Sequence, residues 1–157
     1  MIHPSSVVSP DVQLGQGVTI GPFSVVKGKT HIGDGTVIDS HAVVGSDHGE
    51  VIIGKENHIA PGVVLGGSPQ DLKYKGEPTR LEIGDNNQFR ECVTINLGTS
   101  GGGGVTRIGS HCLIMAYSHI AHDCMIGDHV VIANACQFAG HIRVDDHVKI
   151  GGVCCFN

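Results

Sequence analysis

Residues 108–120 read Ile108-Gly109-Ser110-His111-Cys112-Leu113-Ile114-Met115-Ala116-Tyr117-Ser118-His119-Ile120, with an aliphatic residue at every sixth position. The same phase continues at Ile126, Ile132, Phe138, Val144, Ile150 and Phe156. Upstream it runs through Ile2, Val8, Leu14, Ile20, Val26, Ile32, Ile38 and Val44, then Ile53, Ile59 and Leu65, then Ile83, Phe89 and Ile95. That makes 23 hexads. Four places after the aliphatic residue stands a small or β-branched one, such as Val18, Ser24, Thr30, Thr36, Ala42, Val63, Val93, Ser118 or Val130. Glycine often follows the aliphatic residue directly, as at Gly21, Gly33, Gly84 and Gly127. A period of six fits neither the 3.6-residue helix nor a long strand with its period of two. It fits a short strand and a tight turn, repeated. Three such sides close a triangular coil of 18 residues that stacks on its neighbour through backbone hydrogen bonds. The expected fold is all-β: a parallel β-helix of hexapeptide repeats with about 7–8 coils, roughly 35 Å tall at ~4.8 Å per coil. A β-sandwich would need alternation and longer strands. The glycines are expected in turn conformations that side chains resist.

Composition agrees with this reading. The 157 residues make one domain's length, with 24 Gly, 4% aromatics and no Trp. The core must therefore be aliphatic. Charged residues are 16% and the net charge is −5, which gives no electrostatic footprint for nucleic acid. No apolar run reaches the ~18 residues of a membrane span. The N-terminus carries no basic-then-apolar signal, so six Cys are expected as reduced thiols in a cytoplasm. Cys112, Cys124, Cys136 and Cys154 occupy the small-residue position, where Cys packs as a small apolar group. Their spacing resembles no zinc pattern.

The phase breaks at 45–52, 66–82 and 96–107. Each break is expected to extrude a loop. Counting hexads by three puts Val44, Leu65, Ile95, Ile120, Phe138 and Phe156 in one column, so all three loops leave along one vertical edge. His122 and His141 fall near that edge about one coil apart, with Asn96 a coil below His122. Long loops on a rigid scaffold commonly carry function. The run Gly101 to Gly104 has no Lys-Ser/Thr after it and no strand-to-helix context, so it reads as a flexible tip rather than a phosphate loop. His48, in the first break, has no assigned role.

Three stretches resemble one family. Gln70-Asp71-Leu72-Lys73-Tyr74-Lys75-Gly76-Glu77-Pro78-Thr79-Arg80, Arg90-Glu91-Cys92-Val93-Thr94-Ile95-Asn96 and His119-Ile120-Ala121-His122-Asp123-Cys124 are similar to the QDLKYxGEPT, RExVTI and HIAHDC motifs of the UDP-N-acetylglucosamine O-acyltransferases. Ala139-Gly140-His141 and Val144-Asp145-Asp146 match the next coil. The resemblance implies a left-handed coil and a homotrimer with active sites between prisms. It implies transfer of an (R)-3-hydroxyacyl group from acyl carrier protein to the 3-hydroxyl of UDP-N-acetylglucosamine, the first step of lipid A synthesis, with no cofactor and no metal. His122 matches the general base and Gly140 the backbone oxyanion donor. Asp71, Lys73, Gln70, His119, His141 and Asn96 match substrate-contacting positions. Asp123 is a candidate to orient the imidazole, although adjacent residues on a strand diverge. Leu97 stands where the family often has Arg. Family members continue with more coils and a C-terminal helical domain, which is expected to be absent here. The upper coil is then expected to be uncapped, and two trimers stacked top to top would hide it. Two other readings remain open: a non-catalytic sugar-nucleotide-binding or scaffold homologue, and a zinc hydratase of the γ-carbonic-anhydrase type using His119 and His122.

Overall fold

The computed structural model describes residues 1–157. Most strands are two residues long, each ending on a hexad aliphatic residue, and every pairing is parallel. Partners lie 18 residues apart in uninterrupted coils, as with Ile20 and Ile38. They lie 21 apart across the first break (Ile32 and Ile53), 30 across the second (Ile53 and Ile83) and 25 across the third (Ile83 and Ile108). The three predicted columns are therefore the three faces of a left-handed parallel β-helix. The column of Val44, Leu65, Ile95, Ile120, Phe138 and Phe156 is paired residue by residue.

Each aliphatic residue turns into the prism. Ile59, Leu65, Ile95, Ile114, Ile120 and Ile132 are fully buried in one continuous cluster of 30 residues. Burying a Leu or Ile side chain contributes about 1.5–3 kcal/mol. The small position has a second duty. Ser118 Oγ donates to Ala133 O at 3.0 Å, Cys124 Sγ to Ala139 O at 3.1 Å, and Cys112 Sγ to Gly127 O at 3.1 Å. These side chains tie one coil's corner to the next coil's carbonyl. Burial pushes the Cys112 and Cys124 thiols above their ordinary pKa, so neither is a ready metal-binding thiolate.

Two expectations change. Residues 45–52 do not leave the prism as a loop. They lie within an 11-residue strand, Val43–Ile53, paired along most of its length with Val25–Ile32. The register shifts between Lys27 and Lys29, so the extra residues are taken up as a bulge. The glycines after the aliphatic residue also serve another purpose. At Gly127 a Cβ would lie 2.8 Å from Asp146 N, so close approach of stacked coils excludes a side chain. The left-handed backbone falls two residues later, mostly on residues with side chains: Tyr117 (φ 65°), Asp123 (φ 61°), His129 (φ 55°) and His141 (φ 68°).

Candidate functional site

The second and third breaks leave the same edge, after Val64–Gly67 and after Thr94–Asn96, and rejoin the prism at Arg80–Ile83 and Val105–Ile108. One coil higher, the short strand His119–Ile120 runs into a corner turn that holds His122 and Asp123. The two side chains do not diverge, because this is a turn with left-handed backbone at Asp123 rather than a strand. His122 Nδ1 lies 2.7 Å from Asp123 Oδ2. The carboxylate is fully buried and the imidazole side chain 12% exposed.

Burying a carboxylate costs several kcal/mol unless it is well hydrogen-bonded. The third break supplies those bonds. Thr99 N–H donates to Asp123 Oδ1 at 2.8 Å, and Thr99 Oγ1 donates to Oδ2 at 2.6 Å. The Asp123 N–H donates to Thr106 Oγ1 at 2.8 Å. A carboxylate accepting at Oδ2 requires the proton of His122 on Nδ1. The Nε2 lone pair is then left free, as a general base requires. Gly102 lies against this carboxylate, and a Cβ there would overlap it. The glycine run is therefore not merely a flexible tip: Ser100–Gly102 forms a 3-10 turn seated on Asp123, while Gly101, Gly103 and Gly104 face open space.

Gly140, one coil above, packs on the His122 ring. A Cβ there would stand 2.7 Å from Nε2 and 2.8 Å from Nδ1, so only glycine lets the ring keep its place. The Gly140 N–H makes no hydrogen bond within the chain. Gln70, His119, Ala121, His122, Phe138 and Gly140 are among the residues that line one cleft of about 560 Å³. His119 Nδ1 is 2.7 Å from Thr94 Oγ1, and burial lowers its pKa, which favours the neutral ring. A groove of about 620 Å³ lies beside Arg107 and Arg143, but there the guanidiniums are paired with Glu82 and Asp145 and no proton-accepting imidazole is present.

The other predicted residues divide. His141 is 59% exposed, with its ring edge-on to His122 at 5.1 Å and Nδ1 3.8 Å from Asp123 Oδ2. Asn96 does not line the cleft. It is buried beside Gly67, next to the pairing of Ile95 with Ile120, and its Oδ1 has no partner. Asp71 and Lys73 reach none of the three histidines. Asp71 Oδ1 accepts the Lys73 N–H at 2.9 Å, and Leu72 between them is 97% exposed. Their loop is braced within itself, where Tyr74 OH donates to Glu77 O at 3.0 Å, and by the third break, where Ser100 Oγ donates to Glu77 Oε1 at 3.1 Å. Periodicity could not reveal Thr99, Thr106 or Gly102 as site residues, since all three lie within the break at 96–107.

His122, Asp123 and His141 each offer one potential metal-ligand atom, all within 4.8 Å of one another. Both Asp123 oxygens are already used by Thr99, and the 2.7 Å contact to His122 is a hydrogen bond. Two zinc ligands at ~2.0–2.1 Å in a tetrahedral site would stand over 3 Å apart. The arrangement among His122, Asp123 and His141 is that of a carboxylate–imidazole pair.

The family model for the bacterial transferase hexapeptide (six repeats) matches residues 11–46 and 106–136. The LpxA structure from Acinetobacter baumannii is 44% identical with a TM-score of 0.93, covering 96% of this chain and 57% of that one. The UDP-N-acetylglucosamine acyltransferase from Campylobacter jejuni is 40% identical with a TM-score of 0.91, covering 98% and 58%. LpxA from Bacteroides fragilis, a UDP-N-acetylglucosamine acyltransferase, is 36% identical with a TM-score of 0.85, covering 100% of this chain and 67% of that one. The chain thus spans somewhat under three-fifths of the first two structures.

Proposed function

Because the chain belongs to the UDP-N-acetylglucosamine acyltransferase family, we propose that it moves an (R)-3-hydroxyacyl group from acyl carrier protein to the 3-hydroxyl of UDP-N-acetylglucosamine. The observation that carries this reading is the His122–Asp123 pair facing a cleft shared with Gln70 and Gly140. His122 Nε2 takes the proton of the sugar 3-hydroxyl as its oxygen attacks the thioester carbonyl. The developing oxyanion accepts from the unpaired Gly140 N–H. Collapse breaks the C–S bond, and the carrier thiolate leaves with the proton that His122 now holds. Electrons and protons balance without a cofactor.

Asp71, Lys73 and Gln70 hold the sugar nucleotide in this reading, with His119 and His141 beside the base. Apart from the Asp71–Lys73 contact inside the loop, neither side chain makes a hydrogen bond or ion pair within its own chain, which supports a homotrimer in which the projecting loop meets a neighbouring subunit. No helix is long and apolar enough to cross a membrane. A reducing, cytoplasmic setting suits the six unpaired cysteines.

The test is transfer from an (R)-3-hydroxyacyl carrier protein, measured beside binding of UDP-N-acetylglucosamine. Turnover that His122→Ala lowers about a thousandfold supports the proposal. Binding without turnover replaces it with the non-catalytic reading.

A further inference from the structure

We infer that Thr99 is a positioning residue for His122: through Asp123 it selects the imidazole tautomer that presents Nε2 to the cleft. This deepens the proposed function and rests on His122 being the base. A carboxyl group turns easily about its last torsion, which has only broad preferences. A carboxylate held at one oxygen would therefore be free to swing. Thr99 grips both, Oδ1 through its backbone N–H and Oδ2 through its hydroxyl. The swing would have a destination, because exposed His141 waits 3.8 Å from the same Oδ2 that His122 holds at 2.7 Å. With the plane pinned, Oδ2 serves His122 alone.

The loop is built around this contact. Thr99 is buried, and its carbonyl accepts from the Gly102 N–H at 3.1 Å and the Gly104 N–H at 2.8 Å, so the glycine turn wraps back over it. Gly102 then closes against the carboxylate, where a Cβ would collide. Thr99 hydrogen-bonds to neither imidazole and does not line the cleft, so its influence runs through Asp123.

The experiment compares wild type, Thr99→Val and Thr99→Ser. Valine keeps the β-branched shape and removes the hydroxyl; serine restores it. Nitrogen-15 NMR of the His122 ring reads the tautomer directly, with kcat and KM measured alongside. For Thr99→Val, the expected result is a growing Nε2–H tautomer and kcat lower by about tenfold or more, the loss of one hydrogen bond to a charged group. KM for UDP-N-acetylglucosamine stays within about twofold, and Thr99→Ser returns both readouts. An unchanged tautomer in Thr99→Val, or a folded Thr99→Ser that fails to rescue, overturns the inference. If Thr99→Val does not fold, Gly102→Ala, which displaces the turn from the same carboxylate, takes its place in the NMR measurement. A growing Nε2–H tautomer there supports the inference, and an unchanged one overturns it. A wild type that transfers no acyl group defeats the proposed function, while the tautomer measurement still decides the role of Thr99.

Discussion

The two loops that leave the same edge behave in opposite ways. Residues 97–104 fold down onto their own prism: Leu97 is fully buried in the core and Thr99 sits on Asp123. The loop at 68–79 projects instead: Pro69 and Thr79 at its roots are buried and Gln70 lines the cleft, but Leu72 is almost wholly exposed and the Asp71 carboxylate accepts from the Lys73 backbone within the loop itself. An insertion that buries apolar surface becomes part of the scaffold, and one that exposes it is shaped for something outside. The seated loop therefore fixes the Asp123 carboxylate beside His122, and the projecting loop presents Asp71, Leu72 and Lys73 outward.

Substitutions can break that division. Among substitutions around this comparison, the largest effect is expected at Gly140, one coil above His122. Gly140→Ala forces a methyl group into the His122 ring, so kcat should fall by about a hundredfold or more, from lost positioning of base and oxyanion donor together. The sharpest contrast lies within the glycine run. Gly102→Ala should cost kcat about tenfold or more and lower the melting temperature, since its Cβ overlaps the Asp123 carboxylate. Gly101→Ala, facing open space, should leave both nearly unchanged. Equal effects at the two positions would mean that the turn does not rest on the carboxylate. On the projecting side, Asp71→Ala should weaken UDP-N-acetylglucosamine binding about tenfold in calorimetry, as expected for one charge-assisted contact, with the melting temperature and the His122 tautomer untouched.

The smallest expected effect is on pH. Burial lowers the pKa of His119 in the folded chain, so the folded state resists a proton that the unfolded state accepts near pH ~6.5. Its stabilising contribution is complete above that value and declines as pH falls below it. His119→Gln should flatten this decline in denaturant melts at pH 7.5 and 5.5. A steeper decline in the variant would contradict the assigned sign.

Much of the fold is legible from residues six apart, because each coil repeats the same packing problem and solves it with the same residue types. Ile95, Ile120 and Phe138 sit where the count by three puts them. The break at 45–52 reads as a loop but folds largely as strand, because only Ser46–Gly49 fall out of the ladder as a bulge opposite Gly28 and the pairing resumes at Glu50. The glycines after Ile32, Ile83 and Ile126 are visible in the sequence, but their cause is not. Steric contact with the coil above is a property of stacking, which no single hexad reveals. In the site, motif and edge position single out His122 and Gly140, which the fold brings into contact. They do not find Thr99, because its partner Asp123 lies 24 residues away across a break in the period.

The amino-acid order alone determined the coil, its three columns and the edge where the insertions gather, since periodic burial of aliphatic side chains depends only on spacing. Which way the Asp123 carboxylate faces, which loop lies down and which projects, and which imidazole nitrogen stays free were decided only in the folded molecule. Those outcomes depend on hydrogen bonds between segments that the period does not relate, and on left-handed backbone at residue 123, which turns two neighbouring side chains toward each other.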